Sequence, residues 1–251
     1  MELTIIGCSG SASGPTSPAS CYLLCHDGFA LVLDLGPGGF GGLWQAIDPR
    51  TVDAIALSHL HPDHCLDLTA FNVAALYSPT APWPRIPVYG PAHTRTRMDA
   101  ANEPVPGDVA DWAVDFVAWQ PEQTIGPFTV TLVEARHTTE AWSLRLEAGG
   151  RSVVYSGDTG PNPGLTELAR DADLLLAEAS FLHADDLPAD IHLSGRQAAE
   201  HATEAGVRTL VLTHVPPWHD PEEVFAEARP HFAGELVLAR PGLRLALDSR
   251  A

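Results

Sequence analysis

The feature that most restricts the fold of this chain is a series of short apolar runs, each bounded by Gly, Pro, Asp or Ser. "LTII" 3–6, "CYLLC" 21–25, "ALVLDL" 30–35, "VDAIAL" 52–57 and "IPVYG" 86–90 occupy the first part. "FTVTLVEA" 128–135, "WSLRLEA" 142–148, "SVVYSG" 152–157, "DLLLAE" 173–178, "TLVLTH" 209–214 and "ELVLA" 235–239 follow. Runs this short between breakers have the length of strands. Residues 128–135 and 142–148 alternate apolar with polar, as antiparallel strands with one wet face do. Gly149-Gly150, between "LRLEA" and "RSVVYS", predicts a tight hairpin.

Helices separate the runs. "SGRQAAEHATEAGV" opens on Ser194 with Gln197 three residues on, a capping box, and closes at Gly206. "DPEEVFAEARPHF" has Asp220 as cap, Pro221 at the first helical position and acids in the first turn. Residues 64–77 and 162–170 are predicted helices too. Strand-rich stretches alternating with single helices imply a layered α/β architecture with sheets in the middle. With no low-complexity linker, residues 1–251 read as a single domain. The Pro-rich segment 79–91 is a loop into a strand, or a lid.

The charge narrows the partners. Against 32 Asp and Glu stand 14 basic residues, every one an Arg, for a formal charge of −18. Repulsion disfavours a polyanion such as tRNA, whose binding depends on neutralising phosphates. A small anion suffers less, because a local metal charge can dominate inside a cleft. No apolar run reaches membrane-helix length. The start "MELTIIGCSG" lacks the basic and apolar regions of a signal peptide, so a cytoplasmic protein without a membrane partner is expected. Cys8, Cys21, Cys25 and Cys65 form no CxxC pair and are expected to be reduced, packed residues.

"SHLHPDHCLDL", 58–68, sets His59, His61, Asp63 and His64 together directly after a strand. Imidazole nitrogen and carboxylate oxygen suit Zn²⁺, and also Mn²⁺ or Fe²⁺. His59 and His61 face one way if strand geometry persists, and Asp63 and His64 then turn toward a second position. Three further candidates each follow a strand: His137 in "VEARHTT", Asp158 in "VVYSGDTG" and His214 in "LVLTHVPPW". The two oxygens of Asp158 could bridge a pair of cations.

This order of motifs resembles the metallo-β-lactamase superfamily over essentially the whole chain. The resemblance implies a four-layer αββα sandwich carrying two divalent ions, zinc first, with manganese or iron as alternatives. His59, His61 and His137 would hold one ion, and Asp63, His64 and His214 the other, with Asp158 bridging. "LDLGPGG", 33–39, resembles the family's Asp-x-Gly loop, which would make Asp34 a brace for the ligand loop. Its other reading is a plain glycine-rich turn.

Two stretches point within the superfamily. "LAEASF", 176–181, and "IHLSGRQAAEHATEAGV", 191–207, resemble the ribonuclease Z-like branch. They imply His192 as proton donor to the leaving oxygen, oriented by Glu178, while Asp63 orients or deprotonates a hydroxide shared by two metals. An alkoxide leaving group needs such an acid. The chain departs from ribonuclease Z itself. His137 and Asp158 leave room for a hairpin, not a tRNA-binding arm, and the last motif reads "THVPPWHD".

"GCSGSASGPTSPAS", "SHLHPDHCLDL", "YSGDTG", "EASF", "DLPADIHLSG" and "LTHVPPW" together are similar to actinobacterial proteins described as atypical class II cyclic-nucleotide phosphodiesterases. That implies a small phosphodiester substrate, 3′,5′-cyclic AMP above all, and a homodimer as a family-level expectation. A ribonuclease Z-like tRNA 3′ endonuclease is the second reading. Another hydrolase of this fold, or a non-catalytic metal-binding module, is the third. Trp83, Tyr77 and Trp218 could stack on a base or merely pack. Loop 8–20 could offer amides to a phosphate or simply connect strands. Arg95 and Arg97 read as a solvated helix face. His26, His93, His183, His201, His219 and His231 read as surface residues.

Overall fold

The apolar runs become the strands of two sheets in a computed structural model that describes residues 1–102, 111–184, 186–188 and 190–247. In chain order the first part holds β1 (Glu2–Gly7), β2 (Cys21–His26), β3 (Phe29–Leu35), α1 (Gly39–Ala46), β4 (Ala54–Ala56), α2 (Pro62–Cys65) and α3 (Leu68–Tyr77). There follow β5 (Ile86–Gly90), α4 (Thr94–Asn102), β6 (Val114–Ala118), β7 (Glu122–Ile125), β8 (Phe128–Glu134), β9 (Trp142–Ala148) and β10 (Arg151–Tyr155). The last part holds α5 (Pro163–Leu168), β11 (Leu174–Glu178), α6 (Gly195–Ala205), β12 (Thr209–Thr213), α7 (Pro221–Ala228), β13 (Glu235–Leu238) and β14 (Arg244–Ala246).

Each sheet has seven strands, ordered β14-β1-β2-β3-β4-β5-β6 and β13-β12-β11-β10-β9-β8-β7. Both run antiparallel at one side and parallel at the other, the change falling at β3–β4 and at β10–β11. Alternation sorts the side chains into layers. Leu31 and Leu33 of β3 join Tyr22, Leu24, Phe128, Leu144 and Leu176 between the sheets. Val32 and Leu35 face the other way, with Leu68, Phe71 and Met98 from the helices on that side. Leu175 and Leu212 pack against α5, α6 and α7. The result is the expected αββα stack, and it explains why "ALVLDL" is apolar throughout: both faces are covered.

The capping box of α6 is present, and Gly206 takes the left-handed C-cap conformation at φ 70. Asp220 caps α7 through the Glu222 amide. The helix expected over 64–77 is broken at 66–67, and that over 162–170 is shorter, at Pro163–Leu168. Sequence patterning missed α1, β6, β7 and β14, which are short or weakly periodic, while the helix face read at Arg95 and Arg97 lies in α4. The parallel strands all deliver their C-terminal ends to one edge, where loops carrying His and Asp converge.

Candidate metal centre

Close backbone packing shapes the loops that bear the candidate ligands. At Gly36 a Cβ atom would lie 1.9 Å from the Asp63 carbonyl oxygen, and at Gly10 one would lie 2.3 Å from that of His214. Only glycine allows those approaches. β4 stops at Ala56, so His59 and His61 do not lie on a continued strand, contrary to the geometry assumed for them. They converge anyway, His59 through Nε2 and His61 through Nδ1, 3.1 Å apart. Pro62 then starts α2, which turns Asp63 and His64 toward a second position.

Two groups of donor atoms share Asp158, and a third joins Glu178, His192 and His214, each group with its atoms within 4.8 Å of one another. The first is His59, His61, His137 and Asp158; the second is Asp63, His64, Asp158 and His214. Asp158 belongs to both, with a different oxygen toward each. Its Oδ2 lies 3.7 Å from His59 Nε2 and 3.9 Å from His137 Nε2. Its Oδ1 lies 3.2 Å from His64 Nε2 and 3.4 Å from His214 Nε2.

The outer hydrogen bonds decide what these atoms offer. His137 Nδ1 lies 2.8 Å from the Ile191 carbonyl, and His64 Nδ1 lies 2.7 Å from Asp34 Oδ2. Carbonyl and carboxylate oxygens only accept, so each Nδ1 donates and each neutral ring turns a bare Nε2 inward. His214 Nδ1 meets Ser180 Oγ at 2.8 Å, and His59 Nδ1 meets Ser58 Oγ at 3.1 Å. Inward lone pairs then face one another: His64 Nε2 and His214 Nε2 are 3.0 Å apart, as are His137 Nε2 and His61 Nδ1. Asp158 Oδ1 is buried with no hydrogen-bond partner. Lone pairs packed this way need positive charge between them, and a nitrogen-and-oxygen set around a shared carboxylate fits a pair of divalent cations.

The titration behaviour carries the same message. Burial works against a charged Asp158, yet His214, His64 and His59 hold its carboxyl well below the usual range. Burial also opposes charge on His64, but Asp158 and Asp34 pull it well above an ordinary imidazole. Burial, reinforced by His64, pushes His59 far down.

His192 stands at the rim of both groups, its Nδ1 2.9 Å from Glu178 Oε1 and 3.8 Å from Asp158 Oδ2. Burial opposes its charge, but the Glu178 carboxylate outweighs that and raises His192 to about 9. Glu178 is fully buried and held by the Thr159 amide at 2.8 Å. The sequence-predicted residues His59, His61, Asp63, His64, His137, Asp158, His214, His192 and Glu178 thus come together at one sheet edge.

The open readings also resolve. Asp34 is a brace for His64, in a left-handed conformation at φ 53. Cys65 Sγ bonds the Leu60 and His61 carbonyls, and burial lifts its thiol to about 12, so it pins the ligand loop. In loop 8–20 the amides of Cys8, Ser9, Gly10, Ala12 and Gly14 are already bonded within the protein, as in a connecting loop. Trp83 is buried packing, whereas Tyr77 and Trp218 are exposed. Two supposed surface histidines prove otherwise. His201 joins α6 to Thr166 of α5 at 2.7 Å, and His183 meets the α6 cap Ser194 at 3.1 Å. Sequence reasoning missed Ser58, Ser180, Tyr22 and Tyr155; only Ser58, beside His59, carried any local signal. A cavity of about 430 Å³ lined by Cys8, Pro15, Thr213, Pro217 and Arg240 contains none of the converging groups. No helix among the described residues is long and apolar enough to cross a membrane.

Sandwich and converging His/Asp loops define a metallo-hydrolase fold with groups that could bind metal. The beta-lactamase superfamily domain matches residues 32–215, and the chain belongs to that superfamily. It is 44% identical to an uncharacterized protein of Mycobacterium leprae over 93% of this chain and 84% of that one. It is 29% identical to YhfI of Bacillus subtilis, a probable metallo-hydrolase, over 96% of this chain and 98% of that one. The crystal structure of YhfI, a metallo-beta-lactamase fold protein, superposes with a TM-score of 0.85 over 98% of this chain and 99% of that one. A ribonuclease Z of Salinispora arenicola is 28% identical over 99% of this chain and 97% of that one.

Proposed function

We propose that this protein is a phosphodiesterase for small substrates, 3′,5′-cyclic AMP above all, working with two divalent cations, zinc first. The observation that carries this reading is the His192–Glu178 pair, set against the shared Asp158. Such cations, when bound, supply Lewis acidity to phosphoryl oxygens and draw a nucleophile from water at neutral pH. Asp63, through the Oδ2 that lies 3.1 Å from His214 Nε2, orients or deprotonates the attacking water. The P–O3′ bond breaks, and His192 gives O3′ a proton while Glu178 fixes the ring. A thioester, whose thiolate leaves readily, makes less demand on an acid so placed.

Size and charge support a small substrate over tRNA. Alignment to ribonuclease Z runs to 305 positions although this chain has 251 residues, so that enzyme has segments without counterpart here. Alignment to YhfI runs to 246. The net charge of −18 opposes a nucleic-acid cradle. The ribonuclease Z identity keeps tRNA 3′ cleavage as the second reading.

One sample tests both: metal content, then turnover of cyclic AMP, bis-p-nitrophenyl phosphate and a pre-tRNA. Hydrolysis of the cyclic nucleotide without pre-tRNA cleavage is expected. His192→Ala should slow cyclic AMP about 10²-fold or more, spare the activated p-nitrophenyl ester and keep the metal. Unchanged cyclic AMP turnover in that variant would remove its role.

A further inference from the structure

Between the sheets, beneath the second ligand group, two tyrosines cross in opposite directions. Tyr155 stands on β10 of one sheet, and its hydroxyl donates across to Asp34 Oδ2 on β3 of the other, at 2.7 Å. Tyr22 stands on β2, beside β3, and its hydroxyl shares a 2.8 Å hydrogen bond with Thr213 Oγ1 on β12 of the opposite sheet. The rings lean on each other with centroids 5.2 Å apart, both buried. An unpaired phenol so deep would be costly, so each hydroxyl is held to its partner.

The two partners lead to the same place. Asp34 accepts the Nδ1 proton of His64 at 2.7 Å, and Thr213 directly precedes His214. His64 follows strand β4 of the first sheet; His214 follows β12 of the second. Their inward nitrogens, 3.0 Å apart, are the cross-sheet contact of the second group. The first group is reached from one of the two only: Asp34 Oδ2 also accepts from the Ser58 hydroxyl at 2.7 Å, and Ser58 Oγ meets His59 Nδ1 at 3.1 Å. Its cross-sheet member His137 is held from outside by a loop carbonyl, Ile191, and His61 is half-buried.

We infer that Tyr22 and Tyr155 form a reciprocal clasp that sets the register of the two sheets at Asp34 and Thr213 and so pre-forms the second metal position, Tyr155 alone reaching the first as well, through Asp34, Ser58 and His59. Both are positioning residues, acting through groups that touch the ligands. The inference rests on the reading that these groups hold metal, but fails separately from it.

The test is zinc binding, measured by competition with a chromophoric chelator on the full chain. Tyr22→Phe should weaken one of two zinc equivalents by about 10-fold, the lower end for partners outside the ligand shell, and leave the other unchanged, whereas Tyr155→Phe should weaken both. The effect of Tyr22→Phe should persist in a His137→Ala background and vanish in a His214→Ala background. Thr213→Val breaks the Tyr22 bond from its other side, so misfolding of one variant leaves the other to decide. The Tyr22→Phe/Thr213→Val double variant should be no weaker than either single one. Parent protein that binds two zinc ions with both tyrosine variants binding them equally well would overturn the clasp. Loss of both equivalents alike in Tyr22→Phe would overturn its selectivity. Parent protein that binds no metal would instead end the proposed function.

Discussion

Strands β10, β11 and β12 run parallel, and their two ends hold opposite kinds of buried charge. At the N-terminal end Asp173 takes Arg151 at 2.8 Å, Arg208 at 3.0 Å and the Ser152 amide at 3.0 Å. Both its oxygens have donors; the loose end there is Arg151 Nε. At the C-terminal end Asp158, Glu178 and His214 meet imidazoles and further carboxylates, and among the described residues the ion pairs of Asp158 and Glu178 are with His. The lesson is one of completeness. A buried charge cluster that contains its own cation is structural, whereas one whose lone pairs face inward is built for a cation from outside. The ligand end is also the carboxyl end, where open parallel sheets place their sites.

Substitutions can break that contrast. The largest effect should come from Asp158→Ala, which removes the oxygen that faces each group. Both metal equivalents should be lost and cyclic AMP hydrolysis should fall more than about 10²-fold, by metal analysis and turnover. Retention of two tightly bound ions would refute the shared position.

Asp173→Asn should act on stability alone. It leaves Arg151, 4% exposed, without its counter-charge, at a cost of about 3–5 kcal/mol in denaturant unfolding, with metal content unchanged. Acid should separate the ends in the same order. Metal leaves first, as the imidazoles protonate. Asp173 goes later: hydrogen bonds and the two Arg residues outweigh burial and hold its carboxyl below the ordinary value. Its stabilisation is therefore complete above the unfolded carboxylate value of about 3.9 and is lost as pH falls through the lower folded value. Metal-free Asp173→Asn should lack this last acid-dependent step. Equal loss of metal from that variant at neutral pH would show that the two ends are not independent.

Arg208→Ala should do least. Its side chain is 61% exposed, so its pair with Asp173 contributes no more than about 1 kcal/mol. A larger loss of stability, or any loss of zinc, would mean that the exposed arginine supports more than its one carboxylate.

How much of this was legible depends on where each partner lies in the chain. His59, His61, Asp63 and His64 crowd one turn, so their chemistry reads directly. His137, Asp158 and His214 were found because each follows a strand, and Glu178 and His192 because their motifs resemble a branch of the superfamily. Asp34 remained divided between brace and turn, and proves to be a brace that itself adopts a turn conformation. His201 looked like a surface residue because a lone His in an Ala-rich helix gives no hint of the Thr166 hydroxyl 35 positions away. Tyr22 and Tyr155 looked like ordinary strand aromatics.

The amino-acid order alone determined most of the strands, the capped helices, a layered architecture with sheets in the middle and the kinds of ligand available. Those depend on local periodicity, caps and side-chain chemistry, which neighbouring residues carry between them. Tertiary structure alone decided which nitrogen of each imidazole turns inward, which oxygen of Asp158 serves which group, and which buried hydroxyls brace them. Tyr155 and Asp34 lie 121 positions apart, and Tyr22 and Thr213 lie 191 apart. A hydrogen bond reaches only about 3 Å, so such pairs exist only once two sheets have closed on each other.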